Sequence, residues 1–159
     1  MSRRRVVVTG LGMVSPLGLD TESSWQAALS GKSGIAAIEH MNGEGFATTC
    51  GGSVRGFDVE KYMPAKDARK IDLFIQYGLA AGFQAMEDSQ LRVTDANRER
   101  IGVVIGSGIG GLTNIEDTCK TLLEKGPRRI SPFFVPGSII NMVSGSLSLH
   151  LGLQGPNFA

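Results

Sequence analysis

The segment from Ile130 to Ala159 constrains this chain more than any other. Pro132 and Pro136 bracket a loop that carries Phe133 and Phe134. Ile139, Ile140, Met142, Val143 and Leu147 follow, apolar nearly all round a helix, and a helix without a polar face is a buried one. Ser138 is placed to cap it. Gly155-Pro156 then turns the chain, and a new buried strand is expected to begin just beyond.

The rest of the chain supplies the layers around such a helix. Arg5–Thr9 reads as a strand, because three valines in a row suggest burial on both faces. Pro16 and Gly18 force a loop. Asp20 or Thr21 can cap a helix whose apolar face is Trp25, Ala28 and Leu29 and whose end is Gly31. From Gly34 to Phe57 the glycine-rich sequence predicts an irregular excursion with short strand-like pieces such as Ala47–Cys50. A long helix is expected from Asp67 to Asp88, with Ile71, Phe74, Ile75, Gly78, Leu79, Gly82, Phe83 and Met86 on one face. Gly78 and Gly82 cost helix propensity there, so another element should pack close against them. Ile101–Gly106 reads as a second buried strand. Leu112, Ile115, Cys119, Leu122 and Leu123 mark a third helix, ended by Gly126-Pro127. This order of elements predicts an α/β fold, and no linker divides it.

Composition narrows the function. Over 159 residues, 42% are hydrophobic and 19% charged, which excludes a disordered chain and allows one domain with a sizeable core. The net charge of +1 gives no strong field toward nucleic acid or membrane, so any basic surface must be local. No apolar run is long enough to span a bilayer. After Met1-Ser2-Arg3, the apolar run of Val6–Val8 is too short for a signal peptide. Cys50 and Cys119 fit no metal, redox or disulfide pattern, and a cytoplasmic setting is expected.

Gly106-Ser107-Gly108-Ile109-Gly110-Gly111 satisfies G-x-G-x-x-G between a strand and a helix, the dinucleotide fingerprint. The second strand with its acidic end is missing, since Gly126-Pro127-Arg128-Arg129 follows the helix. The alternatives are a plain close-packed glycine turn, or such a turn beside a substrate channel with Ile109 as wall. In Thr9-Gly10-Leu11-Gly12-Met13-Val14-Ser15 a serine stands where the third glycine belongs. Lys66, Arg69 and Lys70 fall at the expected start of the long helix, where cations are disfavoured. They are either a solvated face neutralised by Asp67 and Asp72, or a docking patch for an anionic partner. Arg128 and Arg129 form a second local pair. Two such patches on a near-neutral chain favour an acidic macromolecule over nucleic acid. Phe133 and Phe134 are core plugs or a pocket wall. His40 and His150 have no triad or metal partners at suitable spacing. His150 and Cys119 read as core, so no catalytic residue, metal site or cofactor is assigned.

The strings Val6–Gly18, Ile105–Leu112, Ser131–Met142 and Phe74–Gly78 together resemble the 3-oxoacyl-[acyl-carrier-protein] synthases of type II, the condensing enzymes of fatty-acid synthesis. The resemblance runs over essentially the whole chain. It implies a thiolase-like fold of layered sheets and helices, of which residues 1–159 are the N-terminal part. It implies a homodimer that condenses an enzyme-bound acyl thioester with malonyl carrier protein. In that family the cysteine nucleophile follows a few residues past Ala159, so the chain by itself is expected to be inactive. The resemblance assigns Ile109 and Phe134 to the acyl pocket. It assigns Lys66, Arg69, Lys70, Arg128 and Arg129 to the surface that receives the acidic acyl carrier protein. A non-catalytic carrier-binding module is the competing expectation.

Overall fold

The computed structural model describes residues 4–39 and 44–159. Met1 to Arg3 and His40 lie outside the described residues. The chain divides into two compact units, Met1–Asp58 with Phe83–Gln90, and Val59–Gly82 with Leu91–Ala159.

In the first unit helix α1 spans Thr21–Leu29. Its start is set by a reciprocal cap. Asp20 Oδ1 accepts the Ser23 N–H at 2.7 Å, and Ser23 Oγ accepts the Asp20 N–H at 3.4 Å. The helix buries Ser24 and Ala27, whereas Trp25 and Leu29 of the expected apolar face are exposed. The cause is the turn it packs on. Ser15 Oγ receives the N–H groups of Leu17 and Gly18 and bonds Ser24 Oγ at 3.0 Å, so a small polar face is needed there. Strands β1 (Ile35–Ala37) and β2 (Cys50–Gly52) pair antiparallel, with Ile35 opposite Gly52.

Arg5–Thr9 is not a strand. Val6, Val7 and Val8 are 93%, 68% and 78% exposed. An apolar run favours burial, but a strand also needs a neighbour to complete its ladder, and none of the described strands pairs with it. The chain is anchored just beyond. The Leu11 N–H donates to Asp88 Oδ2 at 2.8 Å and the Met13 N–H to Gln84 Oε1 at 3.0 Å. Gly10 lies so close to the helix that a Cβ would stand 2.3 Å from the Ala85 carbonyl oxygen.

In the second unit the expected long helix is broken in two. Helix α2 is only Ala65–Ala68, and α3 runs Leu73–Ser89. Asp72 makes the break. Its N–H donates to the Gly137 carbonyl instead of back along a helix, and its side chain accepts the Phe74 N–H at 3.3 Å. Ile75, Leu79 and Ala80 of α3 are buried. The close approach expected at Gly78 and Gly82 is present, and the partner is helix α6, Met142–Leu151.

Ser138 does not cap α6. It ends a separate short helix, α5 (Phe134–Ser138), and its Oγ donates to the Phe134 carbonyl at 2.7 Å. Asn141 precedes α6, and Gly152 closes it with a left-handed φ of 67°. Strands β3 (Val103–Val104) and β4 (Asn157–Phe158) pair parallel, Val103 opposite Asn157. A strand does therefore follow Gly155-Pro156, but it is not the buried one expected, since Asn157 and Phe158 are both exposed. β4 lies along the edge of β3, whose two side chains point to opposite faces of the pair, Val103 7% and Val104 77% exposed.

Helix α4 spans Leu112–Lys125 as expected, but its apolar stripe is uncovered. Leu112, Ile115, Leu122 and Leu123 are exposed, and Cys119 with them, so this thiol is not core. His150 is not core either. It is exposed, its Nδ1 lies 2.7 Å from the Ser146 carbonyl oxygen, and it rims a cavity also lined by Asp67 and Lys70, where an ionisable ring meets an acid and solvent. Among the described residues no helix is long and apolar enough to cross a membrane.

Candidate functional site

The site is built where α2, α3, α4 and α5 meet. Lys66 lies within α2, Arg69 is its C-terminal cap residue and Lys70 follows, all three exposed. Arg69 and Lys70 thus fall between α2 and α3 and not in the first turn of a long helix, whereas Lys66 stays in the single turn of α2. Lys70 Nζ pairs with Asp67 Oδ1 at 2.7 Å and stands 5.4 Å from the centroid of the Phe133 ring. The hydrogen bond from Lys70 holds the Asp67 carboxyl below its ordinary range, with the fields of Lys70, Lys66 and His150 adding to it. Asp72 does not neutralise these cations. Its carboxylate turns inward to backbone amides.

Arg69 and Lys70 line a cavity of about 340 Å³ together with Phe133, Ser131, Asn114 and Asp117. Arg129 lines a second cavity of about 200 Å³, which shares Asn114, Asp117 and Ser131 with the first. The two basic groups that stand apart in sequence thus share one junction in the fold. Arg128 and Arg129 are exposed in a 3-10 turn over Pro127–Arg129.

Ile109 is 69% exposed on the turn before α4, and Gly106 and Gly108 beside it face open space. Gly110 has a φ of +85°, and a Cβ there would meet the Ser138 carbonyl oxygen at 2.4 Å. Phe134, partly buried, opens α5. Neither Ile109 nor Phe134 lines the two cavities above.

This turn does not offer a dinucleotide site. A pyrophosphate needs the amides at the helix start. Here the Gly111 N–H donates to the Ser138 carbonyl, and the Asn114 N–H donates to Asp72 Oδ2 at 2.8 Å. The anion position is filled by a carboxylate of the protein itself.

The sequence reading missed the buried polar residues that hold the junction. Asp72 is 9% exposed and Ser138 6%. Asn114 Nδ2 donates to Ser138 Oγ at 2.9 Å. One signal for Asp72 was available, namely an aspartate directly before the apolar run from Leu73.

Comparison with known proteins agrees with this architecture. The family model described as beta-ketoacyl synthase, N-terminal domain, matches residues 3–159. The chain is 62% identical over 159 residues to 3-oxoacyl-[acyl-carrier-protein] synthase 2 of Vibrio cholerae serotype O1, and 48% identical to the protein of that name from Coxiella burnetii. All of this chain is covered in both matches, against 38% of each relative's length. Among solved structures, a ketosynthase complex with its type II PKS acyl-carrier protein, bound to the hexaketide, includes a chain 31% identical to this one. The TM-score is 0.74, over 96% of this chain and 40% of that one. The ishigamide ketosynthase/chain length factor, at 23% identity, aligns with a TM-score of 0.82 over 98% of this chain and 39% of that one, and supports the fold alone. The fold is therefore that of the α/β, thiolase-like condensing enzymes. The chain belongs to the beta-ketoacyl synthase family and corresponds to its N-terminal domain.

Proposed function

We propose that this chain is the N-terminal part of a type II 3-oxoacyl-[acyl-carrier-protein] synthase, and that it receives acyl carrier protein and forms one wall of the acyl pocket. The observation that carries the reading is the meeting of Arg69, Lys70 and Arg129 around adjoining cavities that share Asn114, Asp117 and Ser131. Lys66 and Arg128, exposed and close in sequence to these cations, are counted with the docking surface. A near-neutral chain that gathers its cations in this way fits a compact acidic protein better than a nucleic acid. The solved complex of a related ketosynthase with its acyl-carrier protein supports that partner.

In this reading the complete enzyme takes an acyl group onto a cysteine as a thioester. Malonyl carrier protein then loses carbon dioxide, and the resulting carbanion attacks the thioester carbonyl, forming the carbon–carbon bond as the C–S bond breaks and the cysteine thiolate leaves. The proposal gives residues 1–159 no catalytic side chain. Their part is to dock the carrier and to shape the pocket with Ile109 and Phe134. The exposed stripe Leu112, Ile115, Leu122 on α4 supports a homodimer, since an apolar patch of this kind needs cover. The proposed setting is the cytoplasm, in keeping with two unpaired, exposed thiols.

The test compares two acyl donors in the complete enzyme, acyl carrier protein and a small acyl thioester, after Lys66, Arg69 and Lys70 are changed to Glu. Loss confined to the carrier-borne donor supports the reading.

A further inference from the structure

We infer that Asp72 is a positioning residue for the acyl pocket: its carboxylate ties the turn that carries Ile109 to the cationic docking segment, and so helps set which acyl chain lengths are accepted. The inference rests on the docking and pocket roles proposed above.

One buried carboxylate caps two helices. Asp72 Oδ1 accepts the Phe74 N–H at the start of α3, and Oδ2 accepts the Asn114 N–H in the first turn of α4 at 2.8 Å. A negative charge between two helix N-termini is well placed, and each bond to an ionised acceptor is stronger than a neutral one. Each oxygen serves one helix, Oδ1 the start of α3 and Oδ2 the first turn of α4.

The junction continues on both sides. Toward the pocket, Gly111 packs so tightly that a Cβ would stand 3.1 Å from Asp72 Oδ2 and 2.8 Å from Ser138 Cα. The Gly111 N–H donates to the Ser138 carbonyl at 2.8 Å, and Ser138 Oγ donates to the Phe134 carbonyl. The turn after Ile109 is thus clamped between Asp72 and the helix that starts at Phe134. Toward the docking surface, Asp72 follows Arg69 and Lys70 directly in the chain. Gly137 is pressed on the Lys70 carbonyl, where a Cβ would meet the oxygen at 2.6 Å.

The informative variant is Asp72→Ser in the complete enzyme. Serine can still cap its own helix but is too short to hold Asn114. The Asn114 amide should exchange with solvent roughly ten- to a hundred-fold faster, as expected for a lost bond to a charged acceptor. The ratio of long-chain to short-chain acyl loading should shift by roughly fivefold or more. If Asp72→Ser does not fold, Asp72→Asn, with one acceptor oxygen, is read in the same way. Faster exchange at Asn114 with an unchanged loading ratio would overturn the inference, as would an equal loss at every chain length. The failure is separable from the pocket reading. If Ile109→Phe discriminates chain lengths and the Asp72 variants do not, the inference alone fails. If neither discriminates, the pocket reading fails too.

Discussion

Gly78 of α3 lies against Val143 of α6 so closely that a Cβ on the glycine would stand 2.4 Å from Val143 Cγ1. Gly82 repeats the contact one turn on, where a Cβ would be 2.7 Å from Leu147 Cδ1. The two helices approach through glycine, and this places the buried face of α6 directly on α3.

Gly78→Ala therefore has two opposed effects. Alanine gains about 1 kcal/mol of helix propensity. Overpacking against Val143 costs about 1–3 kcal/mol, and Val143 is 2% exposed with little room to yield. The variant should be less stable than the parent in urea unfolding, and Val143→Ala added to it should recover part of the loss. A Gly78→Ala protein more stable than the parent would show that the helices do not meet there.

The cap of α1 gives a second stability prediction. Asp20→Ala should cost about 1 kcal/mol, because the Ser23 N–H loses its acceptor. The hydrogen bonds from Ser23 lower the Asp20 pKa in the fold. The contribution is therefore fully present above the unfolded-state carboxylate pKa and fades as pH falls through the folded one. The stability difference between parent and variant should shrink in acid. A difference that grows there would contradict the cap.

The sequence made several elements legible, α1, α4 and most of α3 among them, but not their partners. The glycines at 78 and 82 announced a close contact, and Gly155-Pro156 announced a strand after it, though not its exposure. Val6–Val8 announced burial, yet a strand exists only with a neighbour, which a one-dimensional pattern cannot supply. The break at Asp72 was hidden because the apolar spacing runs through it, while the carbonyl that takes the Asp72 N–H away from the helix belongs to Gly137, far along the chain. The same is true of the site. Single cations could be named from sequence, but the convergence of Arg69, Lys70 and Arg129 depends on how four helices meet.

Ile109→Phe tests the pocket wall. The side chain is exposed on its turn, so the substitution should leave folding within about 0.5 kcal/mol of the parent. Loading of long acyl groups onto the complete enzyme should fall more than loading of short ones, as read by intact mass. Equal loss for both lengths would take Ile109 out of the channel.

The central claim is that the cationic junction receives acyl carrier protein. Lys66, Arg69 and Lys70 are all changed to Glu in the complete enzyme, and the Michaelis constant for acyl carrier protein is measured beside that for a small acyl thioester. Exposed charge pairs are worth about 0.2–1 kcal/mol each, so three reversals should raise the carrier constant on the order of tenfold. The small thioester should be used almost as before. The parent's carrier reaction should also weaken with added salt, since exposed charges are screened beyond roughly 8 Å at physiological ionic strength. If the triple reversal harms both donors alike, the patch serves the fold and the docking account is wrong.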